Sequence, residues 1–488
     1  MNRLFTLLLV LFLFSACAYE LNPTTGKKEI YKKSWDNELK VASEIRTELN
    51  ENFTFIQNPK LKKYIQKVAN AVVQESSFSK DTVLKSYPNF KLNIEIIDSE
   101  TVSSFIVPPN NLYLTTGLLI QLNNEAQLAN VISLQLAHLE KRPFASRNVA
   151  IRSEIPEFIQ INQLAETVFG LPEQFNLSSL SKSLPFLYTS FSEDAELEAY
   201  KLGSKYASLA AYKSSESVST IKHLTKFSSP LSLLPNYQHN HSTFDLPVNT
   251  ETQLALNWQD EEAPEEILNT KEYLSQIHGL TLRQTKDGYK VGKTVYHPKL
   301  LYQFNMPDSW NFAAIKNRIT LTDENNSGIL VIQAVQKSVT FSALVNQWLI
   351  KNNLTADFRK SHFINELNRY ETYSSLIVNN QNYTLFVGSV EMNSYHILIK
   401  TIARSDQFNA LKPYFVEPFF SIIAIPDPSI TISKPLTLNM IKTDSSAELK
   451  DVYPRDLKNV FSLQEFSFMN QKNSKTMIEQ GTFLKSVQ

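Results

Sequence analysis

The sequence predicts an α+β protein: a mostly helical first half holding a small sheet, then a small α/β region, then a short βααβ segment at the end. Three observations predict it. Leu61, Tyr64, Ile65, Val68 and Val72 recur at a spacing of 3–4, the apolar face of an amphipathic helix. Lys91-Leu-Asn-Ile-Glu-Ile-Ile97 alternates polar and apolar residues, the period of a strand. From Tyr289 onward the pattern changes to short β-rich runs at 329–333, 383–387 and 394–399, with a helix at 341–352 among them.

In chain order, residues 20–75 read as helical, with Ser34 as a cap and Asp36 and Glu38 favourable in the first turn. Residues 76–90 form a polar, Ser-rich loop. Residues 105–107 and 112–115 read as one strand interrupted at Pro108-Pro109-Asn110-Asn111, followed by a helical run over about 117–142. Residues 150–225 read as helical, punctuated by Pro156, Pro172 and Pro185, and 226–270 as irregular. Boundaries fall near 270–290 and at Pro426-Asp427-Pro428. The expected divisions are a leader over 1–16, a first domain over 17–275, an α/β domain over 285–428 and a separate tail over 432–488.

Asn2 and Arg3 precede an apolar run over 4–14 and then Ser15-Ala16-Cys17. This is a signal peptide, too short to span a bilayer at about 20 residues. Its end resembles the lipobox of bacterial lipoproteins, which are cut before the cysteine that carries the lipid. Phe14 stands where that pattern usually has Leu. Cys17 is the only cysteine in 488 residues, so no disulfide forms within the chain. The resemblance implies a lipid anchor on Cys17, and Ala18 in place of Asp favours the periplasmic face of the outer membrane. Lys plus Arg balance Asp plus Glu at 48 each, which excludes a strongly basic nucleic-acid binder.

The helix over 124–142 carries the candidate chemistry. Ala129, Ile132, Leu136 and Leu139 form one apolar stripe; Leu128, Val131, Gln135 and His138 form the next. Apolar over most of its girth, the helix belongs in a core. Leu134 and His138 stand four apart, the spacing at which two histidines share a zinc ion.

Asn124-Glu-Ala-Gln-Leu-Ala-Asn-Val-Ile-Ser-Leu-Gln-Leu-Ala-His-Leu-Glu-Lys-Arg142 resembles the active-site helix of the M48 family of zinc metallopeptidases, in particular its periplasmic lipoprotein members that assist outer-membrane assembly. Leu21-Asn-Pro-Thr-Thr-Gly26 is similar to that family's opening segment, and 98–119 to the strand that edges its cleft. Ser192-Glu-Asp-Ala-Glu-Leu-Glu-Ala-Tyr-Lys-Leu-Gly203 resembles the helix that gives its third ligand. The resemblance implies a zincin-like first domain, with zinc held by both motif histidines and a glutamate, and a motif glutamate as general base.

Carried over residue by residue, His138 and Glu196 remain as ligands. Leu134 replaces the first histidine and has no lone pair for a metal. Gln135 replaces the base, and an amide accepts no proton near neutral pH. Tyr200 replaces the supporting aspartate, and Pro143 stands where another histidine is frequent. Ser104, Phe105, Pro109 and Asn110 map to the cleft edge, with Pro109-Asn110 in place of a Gly-Gly turn. Two ligands fall short of the three that a catalytic zinc needs. Two readings follow: His138 held by Glu196, or by Glu198, with no metal, which is favoured; or zinc rebuilt on His138 and Glu196 with His239 or His241 recruited.

Beyond 285, 297–310 resembles a segment of long M48 lipoproteins, with Trp310 read as a core residue. The tail resembles a LysM module. Leu436 to Lys442 is its opening strand, Thr443-Asp444-Ser445 replaces Gly-Asp-Thr, and Phe466–Asn470 and Gly481–Lys485 match its later helix and closing strand. LysM modules bind peptidoglycan-type glycans. The leading expectation is a catalytically inactive, lipid-anchored pseudopeptidase, chaperone-like toward unfolded or assembling outer-membrane proteins. An active zinc metalloendopeptidase and a cell-wall-attached structural lipoprotein are the alternatives.

Overall fold

The computed structural model describes residues 18–21, 28–31, 35–79, 90–100, 102–141, 150–151, 189–190, 193–224, 266–283, 285, 287–307, 310–315, 317–323, 327–378, 380–431, 434–458 and 460–488. The protein is α+β. Its described residues up to 278 form one compact unit, and those from 279 onward form a second.

The first unit opens with an antiparallel pair, β1 (Ala18–Leu21) and β2 (Lys28–Tyr31). The sequence pattern reads this stretch as helix; the helices begin only at α1 (Trp35–Asn52) and α2 (Pro59–Glu75). Asn58 caps α2 by accepting from the Leu61 N–H, and Pro59 takes the first helical position, where its missing N–H costs nothing. Leu61, Tyr64, Ile65, Val68 and Val72 are all buried, as the 3–4 spacing requires.

A three-stranded sheet follows, built from β3 (Asn93–Ile97), β4 (Ser104–Val107) and β5 (Asn111–Thr115) in the order β3-β5-β4. β3 runs parallel to β5, and β4 antiparallel to it. The chain therefore folds back at Pro108–Asn110 instead of continuing as one interrupted strand. Val107 pairs with Asn111, the Pro108–Pro109 bond is cis, and the turn is pinned by Asn110 Nδ2 donating to the Lys91 carbonyl at 2.8 Å. Two consecutive prolines supply no N–H for a ladder, so the turn falls where they stand.

The helical run after β5 is two helices, α3 (Thr116–Gln121) and α4 (Glu125–Lys141). Thr115 caps α3 through the Leu118 N–H, and Asn124 accepts from the Gln127 N–H at the start of α4. A short pair, β6 (Ala150–Ile151) and β7 (Thr189–Ser190), precedes α5 (Glu193–Leu209) and α6 (Ser215–Leu224). The first unit ends in α7 (Thr270–Ile277), whose Tyr273 hydroxyl donates to the Leu119 carbonyl at 2.6 Å.

The second unit begins with β8 (Thr281–Arg283), then β9 (Tyr289–Val291), β10 (Thr294–His297) and β11 (Tyr302–Asn305). Its centre is a seven-stranded antiparallel sheet of β12 (Asn311–Ile315), β13 (Arg318–Thr322), β14 (Gly328–Gln336), β15 (Phe358–Ile364), β16 (Leu367–Val378), β17 (Gln381–Glu391) and β18 (Tyr395–Arg404). Their order is β12-β13-β14-β18-β17-β16-β15. α8 (Phe341–Lys351) and α9 (Ser405–Ser421) cover opposite faces. The period of two decides which residue goes where: Ile329, Val331, Leu398 and Ile402 pack under α8, while Leu330, Ile332, Ile397 and Ile399 pack under α9. Trp310 is buried in the α9 layer, edge-on to Phe415.

β19 (Ile423–Ala424) joins β11, giving a four-stranded sheet in the order β19-β11-β10-β9. The end of the chain supplies β20 (Leu436–Lys442), β21 (Ala447–Glu448), α10 (Leu449–Val452), α11 (Leu463–Met469), β22 (Met477–Ile478) and β23 (Phe483–Val487). Its sheet has the order β23-β20-β8, so the tail takes a strand from residues 281–283. Arg283 reinforces the join by donating to the Val460 carbonyl and pairing with Glu465.

Candidate active site

The candidate positions sit on α4, and the first fact about α4 is its burial. Every residue from Glu125 to Glu140 is buried. A helix enclosed all round must satisfy its polar side chains internally, and this one does. Glu125 accepts from the Tyr64 hydroxyl at 2.6 Å, the Tyr212 hydroxyl at 3.1 Å and Asn269 Nδ2 at 3.1 Å. Asn124 and Gln127 both donate to Glu216 at the start of α6. Glu140 accepts from Ser77 at 2.6 Å and from the Tyr206 hydroxyl. Burial, reinforced by these carboxylates, raises the pKa of Tyr64, Tyr212 and Tyr206, so all three stay protonated donors.

Leu134, Gln135 and His138 lie on the inner part of this helix, at 5, 6 and 8% exposure. α5 approaches α4 at Leu134 closely enough that Gly203 is obligatory: a Cβ there would stand 2.9 Å from both N and Cα of Leu134. That approach brings Tyr200, one turn earlier on α5, to the same place. Leu134 and Tyr200 line a small cavity of about 20 Å³ with Asn130, Ser204, Ser217 and Thr220. This is room for about one water molecule. The structure therefore brings together Leu134 and Tyr200, which the resemblance maps to a metal ligand and a supporting aspartate, with neither ligand nor carboxylate on them.

Gln135 points the other way, toward the sheet. Its Nε2 donates to Ser104 Oγ at 3.1 Å, at the start of the edge strand β4. Position 135 thus faces β4 and acts as a tie between helix and strand. Phe105 stacks on Tyr113 with ring centroids 5.0 Å apart. Pro109 and Asn110 belong to the hairpin turn at the far end of β4, away from Ser104.

His138 is enclosed, and burial pulls its pKa from the ordinary 6.5 down to about 4. The imidazole is neutral at physiological pH, with one ring nitrogen an acceptor. Glu196 is placed on α5 one turn before Tyr200, but its side chain lies outside the described residues, as do His239, His241, Pro143 and Cys17. Glu198, the other carboxylate considered for His138, is exposed and pairs with Lys141 at 2.9 Å. Among the described residues no group of three or more His, Cys, Asp or Glu is placed to hold a metal. Leu134 and Gln135 offer zinc neither a ligand nor a base, so the described residues do not fit a catalytic zinc centre.

Two buried carboxylates escape a reading by motif, Glu125 and Glu140. Glu125 is held by Tyr64 and Tyr212, and Glu140 by Tyr206. Their signal in the sequence is a charged residue at each end of an otherwise apolar helix.

Residues 59–270 match the family model described as Peptidase family M48. The match starts with α2, ends at the first residue of α7, and contains both α4 and α5. This stretch is M48-peptidase-like. No curated protein matches the chain. Among solved structures, the chain is similar to cyanobacterial PsbP (CyanoP) from Synechocystis sp. PCC 6803, at 12% identity and a TM-score of 0.24, over 28% of this chain and 95% of that one. A protein from Bacteroides thetaiotaomicron VPI-5482 shows 11% identity and a TM-score of 0.23, over 40% of this chain and 86% of that one. LpqN, involved in cell envelope biogenesis of Mycobacterium tuberculosis, shows 11% identity and a TM-score of 0.22, over 26% and 83%. Scores of this size establish no shared overall fold.

Proposed function

We propose that this chain is a pseudopeptidase: an M48-like domain that has lost its metal chemistry and serves as a holdase for unfolded polypeptide. The reading rests on the replacement of the ligand and base positions by side chains with structural roles. Leu134 lines a small cavity with Tyr200 where Gly203 of α5 approaches the α4 backbone, and Gln135 is committed to Ser104. A glutamine in place of a general base alone removes about 10²–10⁴-fold of rate. The lipobox-like sequence at Cys17 supports anchoring at the periplasmic face of the outer membrane, where outer-membrane proteins pass as unfolded chains.

The deciding measurement is made on the full chain lacking only residues 1–17. Elemental analysis should find no stoichiometric zinc, and casein should survive incubation with and without chelator. The same preparation should suppress aggregation of a urea-unfolded β-barrel protein on dilution. Chelator-sensitive cleavage, with zinc lost on His138→Ala, would replace this reading by an active peptidase rebuilt around His138. The tail's two helices, enclosed by the strand pairs β20–β23 and β21–β22, support a further role, attachment to peptidoglycan. A sacculus pull-down comparing the full chain with one ending near Pro428 tests it, and equal recovery removes it.

A further inference from the structure

β15 is the outermost strand of the seven-stranded sheet, and it is unusually open. Phe358, Arg359, Lys360, Ser361 and Phe363 are all exposed, Phe363 at 71%. An edge strand of seven residues offers a row of backbone donors and acceptors to another strand. Natural edges are shielded by short length, proline, bulges or covering elements, and by charge. Among the described residues β15 keeps only the charge, and it places an aromatic residue near each end.

The order of residues along β15 is complementary to its own reverse. Laid antiparallel against a second copy with Ser361 on the twofold axis, Phe358 falls opposite Ile364, Arg359 opposite Phe363, and Lys360 opposite His362. Residues opposite each other in an antiparallel pair share a face. On the α8 face, Arg359 then lies beside the exposed ring of Phe363 from the copy, a cation–π arrangement made twice. On the α9 face, Phe358 meets Ile364, again twice. The two lysines in the middle are not left against bare positive charge. Lys360 stands opposite Glu371 of β16 in its own chain, and His362 Nε2 is 3.3 Å from the same carboxylate. Shifting the centre by one residue in either direction leaves Phe358 or Ile364 without an apolar partner.

We propose that β15 pairs with β15 of a second copy across a twofold axis at Ser361, continuing the sheet of the C-terminal unit through an isologous dimer. The occupant is a second copy because the strand's own sequence supplies partners for the exposed Phe358, Arg359 and Phe363, while Lys360 keeps Glu371 of its own chain opposite it. No other chemistry need be assumed.

The test uses the full chain lacking only residues 1–17, which contains no cysteine. Sedimentation should give a reversible dimer, and Phe363→Glu should raise its dissociation constant at least tenfold with an unchanged thermal melt. Ser361→Cys should form a covalent dimer on mild oxidation. Opposite residues in such a pair stand about 4.5–5.5 Å apart at Cα, within disulfide reach. Lys360→Cys should not cross-link to itself. Arg359→Cys and Phe363→Cys should cross-link only when mixed. A chain that stays monomeric at high concentration and gives no covalent dimer from Ser361→Cys overturns the proposal. So does equal cross-linking at 360 and 361. A monomer that binds an unrelated extended peptide along this edge would identify a different occupant and also overturn it.

Discussion

His138 lies in the apolar flank of α4, and its environment fixes how stability depends on pH. The unfolded imidazole titrates near 6.5 and the folded one near 4. Between those values the unfolded chain binds a proton that the folded chain does not, so stability falls as pH drops through that window and levels off below it. For zinc-free protein, the difference in unfolding free energy between pH 7 and pH 4.5 should shrink by about 2 kcal/mol in His138→Phe. Urea denaturation at the two pH values measures it. Gly203→Ala probes the neighbouring contact. The added methyl meets backbone of α4, which cannot swing aside as a side chain would, so the expected loss is about 1–3 kcal/mol, read as a lower melting temperature. Glu125→Ala strands two buried hydroxyl donors, Tyr64 and Tyr212. Each unsatisfied group costs about 1–3 kcal/mol, so this variant should be far less stable than Glu125→Gln, which keeps an acceptor. At this scale the sequence was informative about chemistry. By residue type, Leu134 offers a metal no lone pair and Gln135 takes up no proton. The sequence is silent about what surrounds them, because Tyr200 and Gly203 on α5 and Ser104 on β4 are distant along the chain.

Among the elements, α9 shows why a pattern is missed. Pro413 and Pro418 lie inside it and mask a helix that Phe408, Leu411, Phe415 and Phe419 mark at helical spacing. Two glycines seat it on the sheet. A Cβ at Gly328 would come within 2.6 Å of the Phe415 ring, and one at Gly388 within 2.8 Å of Phe419. Its C-terminal end is closed by a buried arginine: Arg369 Nε donates to the Phe419 carbonyl at 3.1 Å, and its other nitrogens reach the carbonyls of Ile422, Ile364 and Leu367. A cation at a helix C-terminus also complements the helix dipole. Arg369→Leu should destabilise the chain by about 1.5–3 kcal/mol for each carbonyl left without a donor, and Arg369→Lys should restore only part, since an ammonium lacks the planar fork. Chemical denaturation of the two variants gives the comparison. The hairpin of β4 and β5 was half legible. Both strands were placed, but their antiparallel return depends on pairing that a linear pattern does not contain.

For the whole molecule, the tail is the informative case. Residues 436–488 end the chain, yet β20 lies between β23 and β8, so the sheet closes across the length of the second unit. Removing everything after Pro428 should expose β8 and free Arg283 from Val460 and Glu465. Hydrogen exchange at residues 281–283 should then rise to the rate of an unprotected strand, while the first unit keeps its protection. The sequence by itself determined the fold class, the amphipathic face of α2, the apolar girth of α4, the strands β14, β17 and β18 of the central sheet, and the residue types at 134 and 135. Each of these follows from residue type or from a local period. Only the tertiary structure decided which carboxylates α4 would hold, where α5 would press against Leu134, and that the tail would borrow a strand from residue 281. Those outcomes depend on which distant surfaces meet. Burial and hydrogen-bond satisfaction select among the meetings, and a local pattern carries no record of the choice.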